Sequence, residues 1–179
     1  MDRPVEQLVD EILVMDCQSG SVKALEMLVS RWQKRLWRYA FNLTGDTEAA
    51  WDITQESWLG IIKGLRKLHD PARFRAWAYR IVTNKVNDWI RRNRKVNKVG
   101  LKEIHEQQYT EKKNLGVKEL LEKLEMKSKT VLTLYYYELL NVSEISVALK
   151  IPKGTVKSRL HSARNELRKL YQKHSEEKI

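Results

Sequence analysis

Hydrophobic positions along this chain recur at steps of three and four, the spacing of helix faces packed on a core. Val5, Leu8, Val9, Ile12 and Leu13 mark a short leading helix within residues 1 to 18. Ala24, Leu25, Leu28, Val29, Trp32, Leu36, Tyr39, Ala40 and Leu43 form a second stripe that stops at Gly45, a residue suited to ending a helix. Asp46 or Thr47 can satisfy the free backbone amides that open a third helix, DTEAAWDITQESWLGIIKGLRKL. His69 to Arg73 breaks the pattern, and Pro71 suits the first turn of the next helix. That helix, Phe74 to Lys95, turns Phe74, Trp77, Ala78, Ile81, Val82, Val86, Trp89 and Ile90 toward a core.

From 96 to 114 the chain is polar, charge-mixed and weakly periodic, which predicts a linker. Helical spacing resumes with Leu120, Leu121 and Leu124, and Thr130 to Leu140 predicts a longer helix. The run Tyr135-Tyr136-Tyr137 in it reads as core and interface packing rather than as a base-stacking platform. Val142 to Ile151 gives a capped two-turn helix and a tight turn; after Pro152 the last helix places Val156, Leu160, Ala163, Leu167 and Leu170 on one face. This pair has the pattern of a helix-turn-helix. The expected fold is all-α: two small helical domains joined by a flexible linker, the second a helix-turn-helix domain.

The composition supports packed cores, with 42% apolar residues and six Trp in 179 residues. A formal charge of +11 favours a polyanionic partner, nucleic acid or an anionic membrane surface. Residues 1 to 20 carry one basic and five acidic side chains, 21 to 95 sixteen against seven, and 96 to 179 seventeen against eleven, so both domains are basic. The single Cys17 excludes an intrachain disulfide and fits a reducing compartment. No Cys/His cluster has metal spacing, so no metal or other cofactor is expected. The opening segment is acidic and lacks the basic start of a signal peptide, and no apolar run approaches membrane-spanning length. These features predict a cytoplasmic protein without membrane insertion.

Three polar faces carry the candidate chemistry. On the helix from Phe74, Arg80, Asn84, Asn87, Asp88 and Arg91 follow one another at helical spacing, and Arg92, Arg94 and Lys95 extend a basic end. Asn offers donor and acceptor to a base edge, whereas Arg and Lys supply phosphate contacts; the alternative is a solvated face on a core helix. Arg31, Lys34, Arg35 and Arg38 read as a solvated basic face. Asp52, Gln55 and Glu56 make a compact acidic and amide patch, either a dock for a basic partner or a set of surface contacts worth tenths of a kcal/mol. No His, nucleophile or Gly-rich phosphate loop accompanies these carboxylates, so acid–base catalysis is rejected and no enzyme is expected. In the last helix Lys157, Ser158, His161 and Ser162 point outward where a recognition helix meets the major groove, with Arg164, Asn165 and Arg168 further along. Thr155 and the amides around Gly154 sit where a helix start can bind phosphate. Lys150 stands at the turn position where Gly is usual, and Ser146 where a small Ala is usual.

Three blocks of this chain resemble the extracytoplasmic-function sigma factors, the two-domain class of sigma-70-like polymerase initiation subunits. Ala50 to Leu59 resembles the helix that binds core polymerase; Phe74 to Arg92 resembles the helix that engages the minus-10 element; Glu144 to Leu160 with Ala163 and Arg164 resembles the minus-35-binding module. Trp51 departs from the family, which more often has Glu there. The resemblance implies a first domain over 1–95, a linker over 96–114 that threads the polymerase, and a second domain over 115–179. It implies that Asp52, Gln55, Glu56 and Trp58 bind core RNA polymerase, the first three docking on a coiled-coil of its largest subunit. It implies that Arg80, Asn84, Lys85, Asn87, Asp88, Arg91 and Arg92 serve the minus-10 element, while the loop from His69 to Arg73 helps capture an unstacked base. It implies that Thr155, Lys157, Ser158, Arg159, His161, Ser162 and Arg164 read or clamp the minus-35 element. Promoter DNA and core polymerase are the implied partners, and family habit adds an anti-sigma factor. A stand-alone helix-turn-helix regulator and a basic RNA-binding or nucleoid protein are the rival readings.

Overall fold

The computed structural model describes residues 5–97 and 115–176, so the expected linker lies, from residue 98, outside the described residues. The described residues form helices α1 (Val5–Gln18), α2 (Val22–Thr44), α3 (Thr47–Leu65), α4 (Phe74–Asn97), α5 (Leu115–Glu122), α6 (Met126–Leu132), α7 (Val142–Leu149) and α8 (Lys153–Glu176), with no strand among them. The boundaries have local causes. The Ser21 hydroxyl accepts from the Ala24 amide, and the Asp46 carboxylate from the Ala49 amide at 2.9 Å, each satisfying a donor at a helix start. Gly45 ends α2 at φ 71°, a left-handed geometry in which a Cβ is costly. Asp70 caps a single 3₁₀ turn, Pro71–Arg73, that leads into α4.

In the first bundle, α1 to α4 close around Trp32. Its ring meets Phe74 edge-on at 5.3 Å and Tyr79 at 5.8 Å, and Tyr79 in turn meets Tyr39 at 5.0 Å. Such edge-to-face pairs add roughly 0.5–1.5 kcal/mol each beyond burial. The buried Tyr39 hydroxyl is satisfied by Thr83 at 2.7 Å. α1 is an integral part of this bundle. Its Gln18 side chain donates to the Leu65 and Leu68 carbonyls at the end of α3, and Asp10 and Glu6 pair with Arg31 and Arg35 at 3.0 and 3.2 Å. The basic face of α2 is therefore partly covered by the acidic leader, which corrects the reading of it as simply solvated.

The second bundle buries Leu120, Leu124, Val131, Leu134, Ile145, Ala148, Val156, Leu160 and Ala163. Asn141 and Glu144 form a reciprocal capping box at the start of α7. At its end Lys150 takes left-handed geometry, φ 52° and ψ 44°, at a cost on the order of 1 kcal/mol. Ser146 holds the turn together: its carbonyl accepts the Lys150 and Ile151 amides, and its hydroxyl donates to the Ile151 carbonyl at 2.6 Å. Ser146 and Lys150, the two departures from the usual motif, thus meet in one turn.

The predicted helix over 130–140 divides. After α6 comes a π-helical segment, Thr133–Tyr137, in which the Glu138 amide reaches back to the Thr133 carbonyl at 3.0 Å, and Leu139 follows at φ 54°. Tyr135 packs against the core as expected, whereas the bulge turns Tyr136 and Tyr137 out into solvent, and Glu138 points inward and is buried. The two bundles are in contact: α4 packs on α7, α2 meets α6, and the buried apolar residues of both form one continuous cluster.

Candidate nucleic-acid and partner interfaces

On α3 the buried side consists of Ala49, Ala50, Ile53, Thr54, Ser57, Trp58, Ile61 and Leu65. The opposite side exposes Asp52, Gln55 and Glu56 together with Trp51, Leu59 and Ile62. Trp58 belongs to the core, 8% exposed, so in the free chain it offers no docking surface. Trp51, beside Asp52, lies 5.5 Å from Trp37, which stacks on Phe41 at 5.3 Å. An aromatic shelf therefore borders the acidic patch. Only the identity of Trp51 hinted at it in the sequence.

The α4 face follows from its helical pitch. At about 100° per residue, Arg80, Asn84, Asn87, Asp88 and Arg91 fall within one arc, and Asn84, Asn87 and Arg91 are exposed. Arg91 donates to Asp88 at 2.8 Å. Lys85 lies to one side of that arc and donates to Glu56 at 2.9 Å, joining the α3 patch to the α4 face. That hydrogen bond holds the Glu56 carboxyl below its ordinary value. Arg92 is exposed near the same pair, while the side chains of Arg94 and Lys95 lie outside the described ones. In the preceding loop His69 and Arg73 are exposed, and Arg73 pairs with Asp70 at 3.2 Å.

On α8, Lys157, Ser158, His161 and Ser162 are all exposed on one side. His161, Asn165 and Arg168 continue that side as a hydrogen-bonded chain at 3.0 and 3.4 Å. Thr155, half-buried, stands at the start of the helix. Two predicted residues separate from this group. Arg159 lies about 160° around the helix from His161, and Arg164 donates to the Tyr136 hydroxyl at 2.9 Å with its guanidinium over the Tyr135 and Tyr136 rings. Among the described residues there is no group of side chains that could hold a metal ion, and no helix long and apolar enough to cross a membrane.

Comparison with known proteins accounts for this arrangement. The family model of sigma-70 region 2 matches residues 28–96, and that of sigma-70 region 4 matches residues 120–169. The ECF RNA polymerase sigma factor SigL of Mycobacterium tuberculosis is 35% identical over 74% of this chain and 80% of its own length. The ECF sigma factor SigE of Mycolicibacterium smegmatis is 30% identical over 88% of this chain, which spans 65% of that relative's length. Among solved structures, CnrH in complex with the cytosolic domain of CnrY superposes with a TM-score of 0.71 at 25% identity, covering 92% of this chain and 97% of CnrH. The chain belongs to the sigma-70 family, in its extracytoplasmic-function branch. It is an alternative RNA polymerase sigma factor.

Proposed function

We propose that this chain binds core RNA polymerase through α3 and directs it to promoters through α4 and α8, reading minus-10 and minus-35 elements and helping to open the DNA. The observation that carries this reading is the presence in one chain of an exposed acidic patch on α3, an Asn- and Arg-bearing face on α4 and an exposed recognition face on α8. Asp52, Gln55 and Glu56 meet a basic surface of the polymerase, and the Trp51 shelf gives that contact an apolar centre, the kind of site where binding energy concentrates. Asn84, Asn87 and Arg91 face the minus-10 element. The His69 to Arg73 loop helps hold a base outside the stack, offsetting an unstacking cost of a few kcal/mol. Lys157, Ser158, His161 and Ser162 engage the minus-35 duplex.

In this reading the first domain spans 1–95, the linker 96–114 and the second domain 115–179. The chain supplies recognition and the polymerase supplies chemistry, so it is not itself an enzyme, and its place of action is the cytoplasm. The complex of CnrH with the cytosolic domain of CnrY supports a protein partner for this chain, which in this reading is an anti-sigma factor. Binding to core polymerase tests the α3 assignment: Asp52→Ala or Gln55→Ala is expected to weaken it by about 1–2 kcal/mol, roughly 5- to 30-fold in Kd. Unchanged binding by a variant with wild-type helicity and melting would remove α3 from the interface.

A further inference from the structure

The loop between α3 and α4 is held by a helix that carries none of the proposed DNA contacts. Gln18, the last residue of α1, donates from its one side-chain nitrogen to two backbone carbonyls, Leu65 at 3.0 Å and Leu68 at 2.8 Å. Both partners are acceptors, so only a nitrogen bearing at least two hydrogens can serve them together. Leu65 closes α3, where the regular amide partners of a helix run out. A tight bond from the Leu68 amide at 3.1 Å and the Gln18 fork take their place. The fork has a firm base. Leu13 and Val14 of α1 are buried, Asp10 pairs with Arg31 of α2 at 3.0 Å, and α1 also packs on the 3₁₀ turn Pro71–Arg73.

The two halves of the loop are thus fixed in different ways. Asp70 closes the second half locally: its carboxylate accepts the Ala72 amide at 3.1 Å and pairs with Arg73 at 3.2 Å. In the first half the grip comes from α1, and it falls on the backbone alone. Arg66, Lys67 and His69 stay exposed and available to a nucleic acid. This matters for holding a base outside the stack. Unstacking is itself costly, and every loop residue that must be ordered at the moment of capture adds its lost conformational freedom to that cost. A loop already fixed in shape avoids the addition.

We propose that Gln18 is a positioning residue for promoter opening: its two hydrogen bonds to Leu65 and Leu68 hold the α3–α4 loop in the shape that captures the unstacked base. The leader helix then takes part in minus-10 recognition without touching DNA. The inference rests on the assignment of the His69 to Arg73 loop to base capture.

The test uses the full chain assembled with bacterial core polymerase, on a promoter fragment selected by that holoenzyme and held open across the minus-10 element by mismatches. Single abasic sites placed in turn along one opened strand, then the other, measure what each base contributes to Kd. Wild type, His69→Ala, Gln18→Met and Gln18→Lys are compared. Gln18→Met keeps the length of the side chain and loses both donors, whereas Gln18→Lys restores a donor of sufficient reach. At one position the base is expected to be worth about tenfold in affinity to the wild type. His69→Ala identifies that position as the one facing the loop by reducing its factor. Gln18→Met is expected to reduce the same factor to about twofold and to leave the other positions unchanged, and Gln18→Lys to restore most of it. Circular dichroism checks that each variant is folded; if Gln18→Met is not, Gln18→Asn, one methylene shorter, replaces it. An unchanged factor at that position, or equal losses at every position, overturns the positioning role while leaving the loop assignment intact. If His69→Ala alters no position, the loop assignment itself fails, and the role of Gln18 in capture falls with it.

Discussion

Burial pushes the Glu138 carboxyl above its ordinary value near 4.5, against the pull of the Tyr79 hydroxyl and of Arg38, Arg75 and Arg35. Its second carboxylate oxygen is buried without a hydrogen-bond partner, which is why desolvation prevails. The groups facing it are Arg35, Arg38 and Tyr39 on α2 and Arg75 and Tyr79 on α4, with Glu144 on its own side of the contact. A carboxyl whose value is raised on folding binds its proton more tightly in the folded chain. Its contribution to stability is therefore fully present below about pH 4.5 and is lost as the pH rises through the raised value. The melting temperature of the wild type relative to that of Glu138→Gln should fall across that window. A relative melting temperature that rises with pH would contradict the assignment.

Two residues of α8 differ in what they offer to DNA. Lys157 offers a point charge, so Lys157→Ala should weaken promoter binding nearly equally across sequences and lower the salt slope by about 1. His161 lies within a hydrogen-bonded chain with Asn165 and Arg168 that holds its ring. His161→Ala should instead cost about 1–3 kcal/mol on minus-35-dependent promoters and relax their sequence preference. Transcription assays on promoters with and without that element distinguish the two. Equal loss on both kinds of promoter would indicate general damage.

At the scale of elements, Gly64 gives a result whose sign is informative. Ala is favoured over Gly inside a helix by about 1 kcal/mol, yet a Cβ at Gly64 would come within 2.8 Å of the Trp77 ring on α4. That ring is packed against the core cluster and cannot swing away freely. Gly64→Ala is expected to destabilise the first bundle by about 1–3 kcal/mol, the usual range for overpacking, lowering its melting temperature. A rise would mean that α3 and α4 are less closely packed than 2.8 Å implies. Elements of this kind were legible in the sequence because helix faces and caps are local. The stripe ending at Gly45, the Asp46 cap, the Pro71 break and the left-handed Lys150 each follow from a few neighbouring residues. The π-bulge after Leu132 was not legible: Thr130 to Leu140 has ordinary helical spacing, and only contact with another helix makes the extra residue favourable. The burial of Trp58 was not legible for a related reason, since a Trp next to an acidic patch carries no sign of which side of α3 it occupies.

At the scale of the whole chain, the two bundles and the polar stretch between them could be read from periodicity and charge, whereas their contact could not. Glu138 stands in the run TLYYYELLN, where one carboxylate among tyrosines and leucines looks like a surface residue. Its partners lie 59 and 63 positions away, and no local pattern encodes a pairing at that distance. Arg75 and Lys129 were missed for the same reason, since neither belongs to a local motif and their partners lie 63 and 86 positions away. The contact that buries Glu138 joins the two bundles into one continuous cluster. The role proposed for this chain is to confer promoter specificity on polymerase. It is tested most directly by reconstituted transcription: the purified chain with bacterial core polymerase on a library of promoter fragments, with core alone as control. Sequence-specific starts that appear only when the chain is added, enriched for two elements, are the predicted result. No added starts, together with tight duplex binding by the chain alone, would instead make this chain a stand-alone DNA-binding regulator.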